Sequence, residues 1–140
     1  MKTAGYSGTS LAKKLGIKEN FTIKLVHAPD YYFNLFSDFP SHVKIITDNR
    51  STIDFIHCLP TNAKELSKKI RAMKNQLHPD GMIWISWYKK SSKIPTDLDE
   101  NFIRTVAIRN GLVDVKVCAV DEKWSALKLV IPIRERKVGR

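Results

Sequence analysis

Residues 53–87 read IDFIHCLPTNAKELSKKIRAMKNQLHPDGMIWISW. The run Ile53 to Leu59 is apolar and rich in β-formers and stops at Pro60, which predicts a strand. Asn62 followed by Glu65 three residues later is a capping box, and Ala63, Leu66, Ile70, Met73 and Leu77 keep a three/four spacing. A helix with one apolar stripe follows, its other face carrying Lys64, Lys68, Arg71 and Lys74, the composition of a solvated surface. Pro79-Asp80-Gly81 predicts a turn into a second apolar strand, Met82 to Trp87. Strand, helix and strand of these lengths form a right-handed crossover between parallel neighbours.

On the amino-terminal side, Ser10 to Leu15 predicts a short helix with a Thr9/Ser10 cap and Gly16 past its end. Phe21 to Ala28 is a strand stopped by Pro29, Asp30 to Phe39 an aromatic-rich helix carrying Tyr32, Leu35, Phe36 and Phe39, and Val43 to Thr47 a second strand. On the carboxyl-terminal side, the polar segment KKSSKIP leads to Thr96. With Asp99 it forms a second capping box, opening a helix that ends at Gly111. Val113 to Val120 and Ser125 to Ile131 are strands joined by the tight segment Asp121 to Trp124, a hairpin. The order predicts an α/β, three-layer Rossmann-like domain, mostly parallel with an antiparallel end.

The 140 residues suit one domain, set at 1–133, with a helical lead-in over 1–20 and a basic, fraying tail over 134–140. The chain is 43% hydrophobic with six Gly and six Pro, enough apolar material for a packed core and no mark of disorder. Cys58 and Cys118 lie in separate strand-like runs and offer neither a disulfide framework nor a CxxC metal pair, so they read as reduced core thiols. No apolar run approaches the ~18 residues of a membrane span, which places the chain in the cytoplasm and away from membranes. The net charge is +10, and seventeen of the 24 basic residues are lysines scattered along the chain. Nucleic-acid binding is therefore expected to be weak, non-specific and salt-dependent at most.

The stretch from Ile53 to Trp87 resembles the corresponding part of class I S-adenosylmethionine-dependent methyltransferases. The resemblance implies the strand order 2-1-3-4-6-5, with Ser125 to Ile131 antiparallel. Methyltransferases of this kind follow their first strand with an acidic, Gly-rich loop and place an acid after the second strand for the ribose hydroxyls. Here the first loop is HAPDYYF, without glycine, and Asp48 stands after the second strand. One strand-helix unit is also missing. A second resemblance rests on AGYSGTSLAKKLGIK, WISWYKKSSKIPTDL and GLVDVKVCAVDEKWSALKLV, which are similar to a short bacterial family of unassigned function. It transfers no catalytic residue, and Tyr88 departs from the proline that family places after its Ser-Trp pair.

Ligands of open α/β sheets bind outside the carboxyl ends of the strands. There the loop formed by Trp87, Lys89, Lys90, Ser91, Ser92 and Lys93, with Thr96 at the following helix, reads either as a solvated loop or as a phosphate or carboxylate site. His27 and Asp30 are further ligand candidates. His27 and His57 fall at similar places in strands expected to be adjacent, but alternation separates His57 from Cys58, so no metal site is expected. No GxSxG elbow is present. Trp124 reads either as core or as lining of a pocket or partner surface together with Asp121 and Lys128, the last either snorkelling or pairing with an acid such as Asp121. The main functional expectation is a binding domain for a small anionic, phosphate-containing ligand or a protein partner, with no cofactor and no intact S-adenosylmethionine motif. The alternatives are a divergent methyltransferase and a nucleic-acid-binding module.

Overall fold

A computed structural model describes residues 8–48 and 52–136. Six strands form one sheet: β1 (Thr22–Val26), β2 (Lys44–Ile46), β3 (Ile53–Cys58), β4 (Leu77–Tyr88), β5 (Val113–Ala119) and β6 (Trp124–Val130). Their order is β2-β1-β3-β4-β6-β5, the order implied by the resemblance. The first four strands are mutually parallel, whereas β6 runs antiparallel to both β4 and β5. The helices α2 (Ala63–Gln76) and α3 (Glu100–Arg109) pack on one face, and α1 (Leu11–Leu15) covers the other.

Alternation along the central strands builds both cores. In β3, Ile56 and Cys58 face α2 and α3 while Phe55 and His57 face α1. The α2 stripe of Leu66, Ile70 and Met73 is buried, and each such side chain contributes about 1.5–3 kcal/mol on leaving water. Asn62 Oδ1 accepts from Glu65 N at 2.9 Å, the cap expected at that position. A five-residue helix does not persist alone in water. α1 survives through burial of Leu11, Ala12 and Leu15, the Ser10 cap, and Gly16 in the left-handed conformation at φ 82°.

Three local expectations are corrected. Asp30 to Phe39 is not a helix: only a 3-10 turn, Tyr32–Leu35, forms there. Tyr, Phe, Asn, Ser and Asp are weak helix formers, Tyr31 provides no side-chain cap, and Tyr32, Phe33, Phe36 and Phe39 pack as a cluster of edge and tilted rings instead. The α3 cap is Asp99, whose Oδ1 accepts from Phe102 N at 2.8 Å; Thr96 Oγ1 instead accepts from Leu98 N, a local turn. The first turn of α3 is thereby closed by a carboxylate, not a hydroxyl. Finally, Pro79-Asp80-Gly81 is not a turn ahead of a strand but part of β4, where Leu77 pairs with Ile53 and Met82 with Phe55. The extra β4 residues form a bulge.

Gly81 makes that bulge possible. A Cβ at position 81 would stand 2.9 Å from Ile53 O, Asp54 O and Leu77 Cδ1, two of them backbone atoms that cannot move aside. Gly81→Ala is expected to cost about 2–3 kcal/mol through overpacking, read as a lower urea midpoint at unchanged slope. A midpoint equal to the parent's would show that β3 and β4 part without cost here.

The segment after β6 begins with a 3-10 turn, Ile133–Glu135, and Arg136 Nε donates to Ile131 O at 2.7 Å. Among the described residues no helix is long and apolar enough to cross a membrane.

Candidate functional site

Strand order reverses between β1 and β3, and the carboxyl ends of the parallel strands open on one edge of the sheet. Immediately past β1, His27 adopts φ 58°. Left-handed backbone is uncommon for a residue other than glycine, and histidine is among those that tolerate it. The His27 Nε2 lies 3.0 Å from Glu65 Oε1, in the first turn of α2, so the ring bridges the mouth of β1 to the following helix. With Nε2–H donated to the carboxylate, Nδ1 is left as the basic nitrogen.

Asp48 is exposed just beyond β2, and Lys24 Nζ donates to its backbone oxygen at 3.1 Å and to Gln76 Oε1 at 3.0 Å. A groove of about 360 Å³ runs along β1 here, bounded by Val26, His27, Thr47, Lys69 and Met73. Asp30 is exposed in the same loop as His27.

Beneath the edge, His57 is fully buried between two hydroxyls: Nδ1 is 2.8 Å from Tyr32 Oη and Nε2 is 2.7 Å from Ser86 Oγ. Burial lowers the His57 pKa to about 3 and raises that of Tyr32 well above its ordinary value, so both groups are neutral. One ring nitrogen then donates and the other accepts, and both polar atoms are satisfied. This bridge ties the loop after β1 to β3 and β4. The sequence pattern did not point to it: His57 was weighed beside His27 only for a metal site, and none was expected. The register pairs Leu25, not His27, with His57, and the two imidazoles take different partners on different sides of the sheet. Cys58 faces α2, its thiol pKa pushed up to about 12 by burial. Among the described residues no three His, Cys, Asp or Glu side chains converge.

The loop after β4 is brought together as a pocket. A cavity of about 410 Å³ is bounded by Trp87, Tyr88, Lys89, Lys90, Lys93 and Thr96, with Asp97 and Asp99 on its far wall. Lys90–Ser92 form a 3-10 turn, Lys93 follows at φ 62°, and Ser92 Oγ donates to Lys89 O at 2.7 Å. Ser91 is exposed. The helix N-termini bordering this cavity already hold carboxylates: Asp97 Oδ1 accepts from Ala63 N at 2.8 Å, and Asp99 caps α3. The partial positive charge of these helix ends is thus met from within the chain.

Trp124 is buried at the same edge, stacked on Tyr88 with ring centroids 4.1 Å apart and donating from Nε1 to Tyr31 Oη at 3.3 Å. Asp121 Oδ1 accepts from Lys123 N and Trp124 N, which closes the hairpin turn. It is not a partner for Lys128. Lys128 lies on β6 opposite Lys116, remote from Asp121's turn.

No family model and no curated protein sequence matches the chain. Solved structures do. A SAM-dependent methyltransferase from Aquifex aeolicus is similar over 87% of this chain and 88% of its own, at 17% identity and a TM-score of 0.66. A TehB-like SAM-dependent methyltransferase from Corynebacterium glutamicum is similar over 87% and 85%, at 14% identity and a TM-score of 0.56. Magnesium protoporphyrin IX methyltransferase from Synechocystis, with bound SAM, is similar over 87% and 74%, at 12% identity and a TM-score of 0.57. The fold is therefore that of the class I methyltransferases, a Rossmann-like α/β domain with a mixed sheet. These neighbours correct the main functional expectation. The structures that share its fold over nearly the whole chain are described as methyltransferases and not as binding domains without catalysis.

Proposed function

We propose that the chain is a divergent S-adenosylmethionine-dependent methyltransferase domain whose reaction takes place at the carboxyl edge, around the ends of β1 and β2. The observation that carries this reading is His27, held in left-handed backbone at the mouth of β1 and braced by Glu65, with Asp48 at the end of the neighbouring strand. The residues fit the cofactor. Asp48 supplies the carboxylate that a ribose diol requires, Asp30 supplies the acid of the first loop, and His27 makes the turn by which backbone can approach a ligand. Missing glycines leave that approach less open, so binding is expected to be weak. When bound, the cofactor supplies an electrophilic methyl group. His27 Nδ1 is the base that removes a proton from the acceptor, and Glu65 stabilises the imidazolium through Nε2. Tyr32, His57 and Ser86 keep the loop in register without touching solvent.

Calorimetric titration with S-adenosylmethionine and S-adenosylhomocysteine tests the proposal. The expected Kd is on the order of 10⁻⁴ M, and Asp48→Asn is expected to weaken it about tenfold, some 1.4 kcal/mol. His27→Ala should leave that affinity within about twofold while abolishing transfer of a labelled methyl group to acceptors in a cell extract. No heat with either ligand at millimolar concentration, or full affinity in Asp48→Asn, would overturn the reading.

A further inference from the structure

Lys89, Lys90 and Lys93 border the cavity past β4, and among the described residues no ion pair or side-chain hydrogen bond reaches their ammonium groups. Asp97 and Asp99, which border the same cavity, each turn an oxygen to a backbone N–H, of Ala63 and of Phe102, and not to a lysine. An ammonium offers three donors and no acceptor, so an anion is what completes this wall. The loop is set before any ligand arrives. Lys89 N donates to Lys123 O at 2.8 Å, Ser92 Oγ to Lys89 O at 2.7 Å, and Ile94 N to Ser92 Oγ at 3.2 Å.

The cavity has an apolar side as well. Trp87, half-buried against the core under α2 and α3, lines it together with Ile94 and Leu98. An indole beside unpaired ammonium groups suits a flat ring that carries an acid. About 410 Å³ is the size of a small-molecule site and too little for a helix or a folded partner. β1 and β4 flank β3, with Val26, Cys58 and Ile85 in one row, so His27, one residue past that row, and Trp87, two past it, stand about 10 Å apart across two strand spacings. The first turn of α2 joins the two places: Asp97 accepts from Ala63 N, and Glu65 holds His27.

We infer that the methyl acceptor is a planar aromatic acid of at least two fused rings, its carboxylate held by Lys89, Lys90 and Lys93, its ring against Trp87 and a hydroxyl at its far end directed to His27. This assignment rests on the methyltransferase reading. A single ring falls short of the span between the lysines and His27. In the transfer the hydroxyl oxygen bonds to the methyl carbon while the carbon–sulfur bond breaks and leaves its electron pair on sulfur; the hydroxyl proton passes to His27 Nδ1 and then to water. The products are a methyl ether, S-adenosylhomocysteine and one proton.

Calorimetric titration of the full chain with 6-hydroxy-2-naphthoate, without cofactor, tests the pocket. The corresponding naphthamide supplies the ring without the charge, butyrate the charge without the ring, and a ten-nucleotide single-stranded RNA a polymeric anion. The expected Kd for the naphthoate is on the order of 10⁻³ M, with naphthamide and butyrate about tenfold weaker or more. Lys89→Gln/Lys90→Gln should weaken the naphthoate about fivefold or more. Lys68→Gln/Arg71→Gln, which removes the same charge from the exposed face of α2, should stay within about twofold of the parent. Both variants should melt with the parent when no ligand is present, since the substitutions lie on the surface. No cofactor takes part in these titrations, so their failure is separate from a failure of S-adenosylmethionine to bind. Equal affinity for acid and amide, or equal losses in the two variants, would overturn the pocket. Heat from RNA that Lys89→Gln/Lys90→Gln diminishes, with none from the naphthoate, would replace the small acceptor by a nucleic acid. With S-adenosylmethionine added, mass spectrometry should find the methyl ether, and its absence where both ligands bind would remove the acceptor role.

Discussion

Acidification from pH 6.5 to 4.5 is expected to destabilise the fold by roughly 2–3 kcal/mol through His57 alone, and His57→Gln is expected to flatten that slope. An unfolded histidine takes up its proton near 6.5, whereas the buried imidazole does so only near 3. Between those values the unfolded chain binds one proton more than the folded chain. Stability therefore rises with pH across the window at about 1.4 kcal/mol per unit; the contribution is complete above 6.5 and gone below 3. The cause is desolvation: Tyr32, Phe55 and Ser86 surround the ring, and no carboxylate is among its hydrogen-bond or ring contacts to offset a charge. The hydrogen bond with His42 lowers the Glu19 pKa from its ordinary value. Urea unfolding at pH 7, 5.5 and 4.5 measures the slope. His57→Gln should be less stable than the parent by about 1–3 kcal/mol at pH 7, where its hydrogen bonds are imperfect, yet lose less on acidification. Parallel slopes in the two proteins would show that His57 does not carry the effect.

The same residue marks the boundary of what could be read from the chain. The strands, the antiparallel hairpin and the Asn62 cap were legible because apolar runs, their lengths and the capping spacing are local signals, whereas the strand order followed from the resemblance to methyltransferases. The Tyr32–His57–Ser86 bridge joins residues 25 and 29 positions apart, and nothing in the local pattern of any one of them names the other two. Alternation does place Phe55 and His57, and Trp84 and Ser86, on shared faces, so a histidine facing the core beside a serine on the next strand was the available signal. The helix expected over Asp30 to Phe39 failed for a related reason. Its three/four spacing was real, but it recorded rings that cluster with one another around Tyr32, not a stripe set against a sheet. Similarly, Thr96 and Asp99 satisfy the capping-box spacing, yet Asp97 is drawn to Ala63 N across 34 positions, and the chain enters α3 only afterwards. The loop Trp87 to Lys93 could be singled out from its position after a strand, and it does line a cavity. The His27–Glu65 contact could not, since it spans 38 residues and depends on a backbone conformation that sequence does not advertise.

Trp84→Ala is expected to be the most damaging single truncation, costing about 3–5 kcal/mol out of the ~5–15 that hold a domain of this size. Trp84 is fully buried in the middle of β4, between β3 and β6, and its Nε1 donates to Leu15 O at 2.9 Å. Two losses therefore coincide. Removing the indole leaves a cavity in the core facing α1, and the Leu15 carbonyl, near the end of α1, loses its donor. α1 is too short to hold itself, so its residues should be released before the sheet unfolds. Trp84→Phe separates the two effects, since it keeps most of the volume and deletes only the N–H; its cost should fall near 1–2 kcal/mol, close to that of an unsatisfied buried carbonyl. Urea midpoints give the total, and amide exchange at Lys14 to Ile17, whose N–H groups bond within α1 and its cap, reports the local release. Trp84→Ala within about 1 kcal/mol of the parent, or undiminished protection over α1, would mean that Leu11, Ala12 and Leu15 hold the helix on the sheet without the indole. The expected result is the reverse: α1 lacks the length to make its own hydrogen bonds count, and the only side-chain bond from the sheet to its backbone among the described residues is the one that Trp84 supplies.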